Sequence, residues 1–315
     1  MEVVQSIVEE HMSSLPEFLH CHRIAASFYV GEPALPLVIL NYDGKRSKRN
    51  PVTDACRGLV LNTSNWTVVA KGFNRFANNQ NNNNKNKSNG NSKKPIIDRI
   101  LSKEDGTLIM VFYYNGHWFV NCRYNFGDDL IPSGRCTYRQ LFTELFPEFE
   151  KHLDWRYTYL FEMCTPENRI VRWYPERKLF LLGALENSTR MEVDSETLDA
   201  WAMDWKHKSC QRPLDFTHRQ PFASELAALL SKGQVDEAKK LVFTLLHQDG
   251  KDEETTRDKT ANEVKEGIVV LYNNGQRQKI KNPLYLALHI FKYRGWPIAH
   301  TAIGQEAWSY LNKAY

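Results

Sequence analysis

The sequence predicts an α+β protein built on antiparallel sheet, and three observations predict it. Two aromatic and β-branched runs flank Asn115-Gly116 within TLIMVFYYNGHWFVNCR, residues 107–123. A second pair, GIVVLYNNGQRQKIK at 267–281, turns near Asn274-Gly275. Asn115-Gly116 tolerates the positive φ angles of a type I′ turn, so the first stretch reads as a β-hairpin, and the second reads as another. Third, helical periodicity is inserted among hairpins and does not alternate strictly with single strands, which favours α+β over a doubly wound parallel sheet.

The elements follow in order. Val3, Val4, Ile7 and Val8 fall at helical spacing and predict a short amphipathic helix over 3–12. Strand-like runs occupy 35–42 and 58–61. Residues 78–94, NNQNNNNKNKSNGNSKK, contain no apolar residue and are expected to form a mobile loop. A helix is expected over 137–151 and strands over 158–163 and 178–185. Two helices, 222–231 and 234–247, are separated at Gly233, the second placing Val235, Ala238, Leu241, Val242 and Leu245 on one face. Residues 249–265 are polar and charged and predict an exposed loop. The expected layout is one domain over 1–290, with the Asn-rich loop at 78–94 and a helical insertion at 195–262. A short tail, 291–315, is expected to pack on it.

Composition narrows the function classes. The 315 residues are 42% hydrophobic and 12% aromatic, as in a globular protein. A formal charge of +4, from 41 basic and 37 acidic residues, permits nucleic-acid binding without arguing for it. Cys21, Cys56, Cys122, Cys136, Cys164 and Cys210 include no C-x-x-C pair and are too sparse for a disulfide framework. No apolar run approaches the ~20 residues of a membrane helix, and the N-terminal residues lack a basic signal-peptide start. The expectation is a soluble intracellular, cytoplasmic protein, monomeric by default.

Four local patterns carry chemistry. Lys103, Asp105 and Gly106 form K-x-D-G at the mouth of the apolar run 108–112. A turn before a strand explains it plainly; a lysine nucleophile is the sharper reading. Lys279 and Lys281 lie two apart on a strand, so both point to one face while Ile280 points to the other. They suit either a solvated edge strand or a phosphate site. Glu266-Gly267 opens the same hairpin. Glu162 ends the run Leu160-Phe161, and Arg57-Gly58 enters a strand. Each is an ordinary strand-end residue or a nucleotide contact. Together they suit one reaction, attack by a lysine amine on the α-phosphate of ATP. A free lysine titrates near ~10.4, so the amine needs desolvation or cationic neighbours to become a nucleophile. Glu162 and Glu266 could organise Mg²⁺ or Mn²⁺ through water.

These motifs, in order, resemble the RNA ligase 1 family of T-even bacteriophages within the covalent nucleotidyltransferases. The resemblance rests on CRGLVLN, GFNRF, SKEDGTL, FEMCTPENRIV, LFLLGA, EGIVV and QKIKNPLYLALH, from about residue 38 to 289. It implies an antiparallel-sheet nucleotidyltransferase domain, the ATP-grasp-like adenylation domain of ligases. It implies that Lys103 becomes covalently bound to AMP. Tyr42, Arg57, Arg75, Glu162, Glu266, Lys279 and Lys281 would bind ATP, with Asp105, Gly106, Arg123 and Tyr285 also in the active site. Glu162 and Glu266 would be the metal carboxylates. Two positions depart from the family pattern: Arg75 stands where K-F-F-N has lysine, and Cys122-Arg123-Tyr124-Asn125 stands for S-K-G-S. Only 34 residues follow Lys281, so neither an OB-fold domain nor the family's helical C-terminal domain is expected. The implied activity is ATP-dependent joining of 5′-phosphate and 3′-hydroxyl RNA ends in RNA or tRNA repair, with an end-healing kinase or phosphatase as possible partner. The rivals are a DNA-end ligase, a capping guanylyltransferase, or a silent RNA-end-binding protein.

Overall fold

A computed structural model describes residues 15–31, 33–76, 95–205, 209–248 and 264–294. The expected helix at 3–12, the Asn-rich run 78–94, residues 249–263 of the polar loop and the tail beyond Arg294 lie outside the described residues. Among the described residues, twelve strands form three sheets. The chain divides into two compact units. The first comprises Met1–Arg75, Thr107–Asn168 and Glu176–Arg212, and the second Phe76–Gly106, Arg169–Pro175 and Pro213–Tyr315.

The first unit holds two sheets. One has the order β1 (Ile24–Phe28), β2 (Leu37–Tyr42), β3 (Arg57–Asn62), β4 (Val68–Ala70), all antiparallel. Helix α1 (Leu15–His22) precedes it, and Phe18, Ile24, Val38, Leu40, Cys56, Leu59 and Leu61 form its buried cluster. Between β2 and β3 runs α2 (Pro51–Ala55). Asn50 caps it by accepting from the Thr53 amide, while the Thr53 hydroxyl accepts from the Asn50 amide.

The other sheet runs β10 (Cys210–Gln211), β9 (Lys178–Glu186), β8 (Tyr157–Cys164), β6 (Thr107–Tyr114), β7 (His117–Cys122). The Asn115-Gly116 hairpin joins β6 to β7, with positive φ at both turn residues, as its sequence requires. All pairings are antiparallel except the short β9–β10 pair. Helix α3 (Tyr138–Leu145) buries Leu141, Phe142 and Leu145 against Ile109, Val111, Phe161 and Met163 of this sheet. Thr137 and Gln140 close its capping box. The helix expected over 137–151 is shorter than its apolar spacing suggests. Pro147 disfavours helical geometry at Phe146, and only a 3₁₀ turn, Phe149–Lys151, follows. Helix α4 (Ser195–Asp204), capped by Asp194, adds Leu198 and Ala202 to the same core.

The second unit centres on an antiparallel sheet β12 (Arg277–Lys281), β11 (Gly267–Tyr272), β5 (Ile97–Lys103). Its core is Ile100, Ile268, Val270 and Ile280, packed with helices α5 (Phe222–Ser231) and α6 (Val235–Gln248) through Phe222, Leu226, Ala238 and Val242. Helix α7 (Pro283–Arg294) follows β12 at once. Asn282 starts it by accepting from the Leu284 amide, and Pro283 fills the first helical position, where no amide is needed. No described helix is long and apolar enough to cross a membrane.

Candidate active site

In the second unit, strand register brings the key lysines together. Gly267 of β11 lies opposite Lys103 of β5 on one side and Lys281 of β12 on the other. The three residues form one row across the sheet, and Glu266 precedes the central one. Its carboxylate is shared: Lys103 Nζ donates to Oε2 at 2.7 Å and Lys281 Nζ to Oε1 at 2.7 Å. Glu266 is 4% exposed. Burial pushes its carboxyl upward, but the charges and hydrogen bonds of Lys103 and Lys281 outweigh this and hold it below the usual value.

The row depends on a bare backbone at Gly267. Its φ is +147°, and a Cβ there would lie 2.2 Å from the Ile280 carbonyl oxygen and 2.9 Å from the Lys281 Cα. Lys279 and Lys281 alternate with Ile280, which is fully buried in the core. Both lysines therefore share the face opposite Ile280, as the two-residue period predicts.

Lys103 ends strand β5; it does not stand at the mouth of β6 as the sequence suggested. The next residues are pinned by buried contacts. Glu104 accepts from Ser102 Oγ at 2.5 Å, Tyr174 Oη at 2.8 Å and Arg172 Nη1 at 3.0 Å. Asp105 Oδ2 accepts the amides of Val171 (2.9 Å) and Arg172 (2.7 Å), and its Oδ1 accepts from the Tyr285 hydroxyl. The Asp105 amide donates to Tyr174 Oη at 3.0 Å. Gly106 closes the turn before β6. Thus Asp105 and Tyr285 meet directly, and both neighbours of Lys103 are fixed while its own side chain stays 21% exposed. Glu104, Arg172 and Tyr174 were not singled out from sequence. Their partners lie 68 and 70 positions apart, and no spacing rule signals such a contact.

The first unit gathers the remaining candidates. The guanidinium of Arg75 lies 4.2 Å from the ring centroid of Tyr42, and that of Arg123 lies 4.5 Å from the same ring. Arg123 also covers Tyr124 at 4.9 Å. Asn41 ties this corner: its Oδ1 accepts from the Gly58 amide at 2.9 Å and from Arg123 Nε at 3.3 Å, and its Nδ2 donates to the Arg123 carbonyl. Arg57 opens β3 in register with Asn41. Glu162 on β8 alternates with the buried Phe161 and Met163, so it faces away from the α3 core.

The donor set suits a polyanion. Arg123 Nη2 is buried without a hydrogen-bond partner among the described residues. A buried unsatisfied donor costs about 1–3 kcal/mol, which acceptor oxygens of a phosphate would recover. For a metal, the described residues contain no group of three or more His, Cys, Asp or Glu side chains placed to hold an ion among themselves. Mg²⁺ that arrives with phosphates and waters needs only one or two carboxylates. Both Glu266 oxygens accept from lysines, so a metal would reach that carboxylate through water or after a lysine moves.

Comparison with known proteins agrees with this chemistry. A family model described as RNA ligase matches residues 55–294. A putative bifunctional polynucleotide kinase/RNA ligase of Autographa californica nuclear polyhedrosis virus is 31% identical over 170 residues, 49% of this chain and 24% of the relative. An RNA ligase of Rhodothermus phage RM378 is 28% identical over 160 residues, 41% of this chain and 36% of the relative. The chain thus spans about a quarter and about a third of these relatives' length. An archaeal ATP-dependent RNA ligase superposes with TM-score 0.51 at 14% identity, over 91% of this chain and 64% of that one, which shows a shared fold.

Proposed function

The chain belongs to the RNA ligase family, and from that membership we propose that it joins 5′-phosphate and 3′-hydroxyl RNA ends at the expense of ATP, through a covalent AMP on Lys103. The observation that carries the reading is the shared Glu266 carboxylate, which holds the Lys103 amine beside a second cation at the end of three paired strands.

In the first step the unprotonated Lys103 Nζ attacks the α-phosphorus. An N–P bond forms, the bond to the bridging oxygen breaks, and pyrophosphate leaves. The ion pair with Glu266 holds Lys103 as an ammonium, so binding of the nucleotide must break that pair and release the proton. Lys281 is positioned to turn from Glu266 to a phosphate, and Lys279 joins it from the same strand face. In the second step an oxygen of the RNA 5′-phosphate attacks the lysyl-AMP phosphorus. The N–P bond breaks and the amine recovers a proton. In the third, the 3′-hydroxyl loses its proton and attacks the 5′-phosphate, and AMP leaves as a phosphodiester forms. Tyr42, Arg57, Arg75, Arg123 and Glu162 are proposed as further ATP-binding residues, on the chemistry of their donors and acceptors. Bound Mg²⁺ or Mn²⁺ would neutralise phosphate charge and ease departure of the leaving group.

The substrate requires a 5′-phosphate, so an end-healing kinase or phosphatase is the proposed partner activity. The name of the baculovirus relative joins a kinase to a ligase. The test is incubation with α-labelled ATP and Mg²⁺, then with 5′-phosphate RNA. Labelling by ATP and not GTP, followed by joining of RNA, is expected. Labelling by GTP would make the protein a capping-type enzyme. Preference for DNA ends would make it a DNA ligase. RNA binding without labelling would leave a silent end-binding protein.

A further inference from the structure

The segment Arg169–Pro175 belongs to the second unit and presents two opposite faces. Arg172 and Tyr174 turn inward, and both bond Glu104, the residue after Lys103. Between them in the chain, Trp173 turns outward and is 42% exposed. Arg169 extends along the same side, its guanidinium 5.7 Å from the Trp173 ring centroid, while its Nε donates to the Val171 carbonyl at 2.9 Å. Lys292 of α7 caps the segment by donating to the Arg169 and Ile170 carbonyls. An indole is the most costly side chain to leave in water, yet this one is held there by anchors on either side of it.

We propose that Trp173, with Arg169, is a stacking platform for an unpaired base of the RNA substrate near its reacting end. The proposal rests on the RNA ligase reading. Single-stranded RNA is gripped by aromatic faces on which bases stack and by arginines that contribute both stacking and charge. Trp173 supplies the face, Arg169 supplies positive charge beside it, and Lys292 adds charge at the start of the same segment. The two anchors on Glu104 tie the platform to the loop that carries the nucleophile. A base stacked there is held by the segment that also fixes Lys103, which suits recognition of an end rather than of a distant stretch.

The test uses the full chain with Trp173→Ala and Trp173→Phe. Three readouts are compared with wild type: ATP labelling, joining of pre-adenylated RNA to a 3′-hydroxyl acceptor, and filter retention of a labelled single-stranded 5′-phosphate RNA. Trp173→Ala is expected to raise the KM for pre-adenylated RNA and weaken RNA retention by about tenfold, the loss of one stacked base. Its ATP labelling should stay within about twofold, because Arg172 and Tyr174, not Trp173, hold Glu104 beside Lys103. Trp173→Phe should recover most of the RNA affinity. Unchanged KM and retention in Trp173→Ala would overturn the platform and leave the ring to a protein partner. Loss of labelling in both variants would overturn it too, by placing the residue in the support of the nucleophile. If wild type neither labels nor joins, the ligase reading fails. The retention assay then judges the platform alone, and equal binding by wild type and Trp173→Ala refutes it.

Discussion

Replacing Glu266 by glutamine removes one negative charge from between two ammonium groups while keeping shape and size. In the native protein the carboxylate is 4% exposed and accepts from Lys103 and Lys281 at 2.7 Å each. The glutamine amide offers one acceptor and one donor, so one lysine meets an N–H instead of an oxygen. Removing one partner of a fully buried ion pair costs about 3–5 kcal/mol. The lysine side chains are 21% and 26% exposed, and water recovers part of that loss. A destabilisation of about 2–3 kcal/mol at pH 7 follows, or several degrees in Tm. The pH dependence gives a second check. The folded carboxyl of Glu266 titrates below its unfolded value, so between the two values the unfolded state binds more protons and stability rises with pH. The wild-type advantage over Glu266→Gln should be constant at neutral pH, down to about one unit above the unfolded value of ~4.3. It should shrink as pH falls from there through the folded value. Urea unfolding of both proteins across this range measures it. Equal stability at pH 7, or an advantage that grows on acidification, would refute the account of Glu266 as an ionised bridge.

Other expectations concern the same row of strands. Lys279→Ala and Lys281→Ala should each lower ATP labelling by about 10²–10³-fold; Lys279→Ala should change stability little, since truncating an outward side chain leaves no cavity, whereas Lys281→Ala should also lower it, because the buried Glu266 carboxylate loses one of its two partners; near-normal labelling in both would make them edge-strand lysines instead. Lys103→Ala should neither label with ATP nor join 5′-phosphate RNA, yet still join pre-adenylated RNA in a gel assay, because the third step needs no covalent lysine; an AMP adduct on this variant would displace Lys103 as nucleophile. Gly267→Ala should lose both labelling and stability, because its Cβ would sit 2.2 Å from the Ile280 carbonyl and force β11 from β12; an intact melting transition with normal labelling would contradict the register.

The hairpins were legible because Asn-Gly turns and two-residue alternation are local signals. The paired lysines were legible for the same reason: Ile280 between them announces which face is core. Strand β5 was not, since Ile100, Leu101 and Ser102 are buried in succession and hide any alternation. Lys103 was therefore attached to the following strand and not to the one it ends. Asp194 caps α4 and Asn282-Pro283 start α7, but neither was read as a helix start from sequence. Their tertiary roles depend on what packs nearby, which no cap reveals. The supports of the Lys103 loop were opaque for a plainer reason. Glu104 is flanked by more eloquent residues, and Arg172 and Tyr174 acquire meaning only when the chain returns to it.

The bond between Lys103 and Glu266 closes a loop of 163 residues. Contacts of such long range form late, because closure entropy must be overcome before they contribute stability. A chain emerging from the ribosome carries Lys103 long before it carries β11, β12 or the carboxylate between them. Until then the amine is an ordinary lysine on an unpaired strand. On the proposed reading chemical competence arrives with topological completion, and a chain truncated before Glu266 should fail to label with ATP although it contains the K-x-D-G turn.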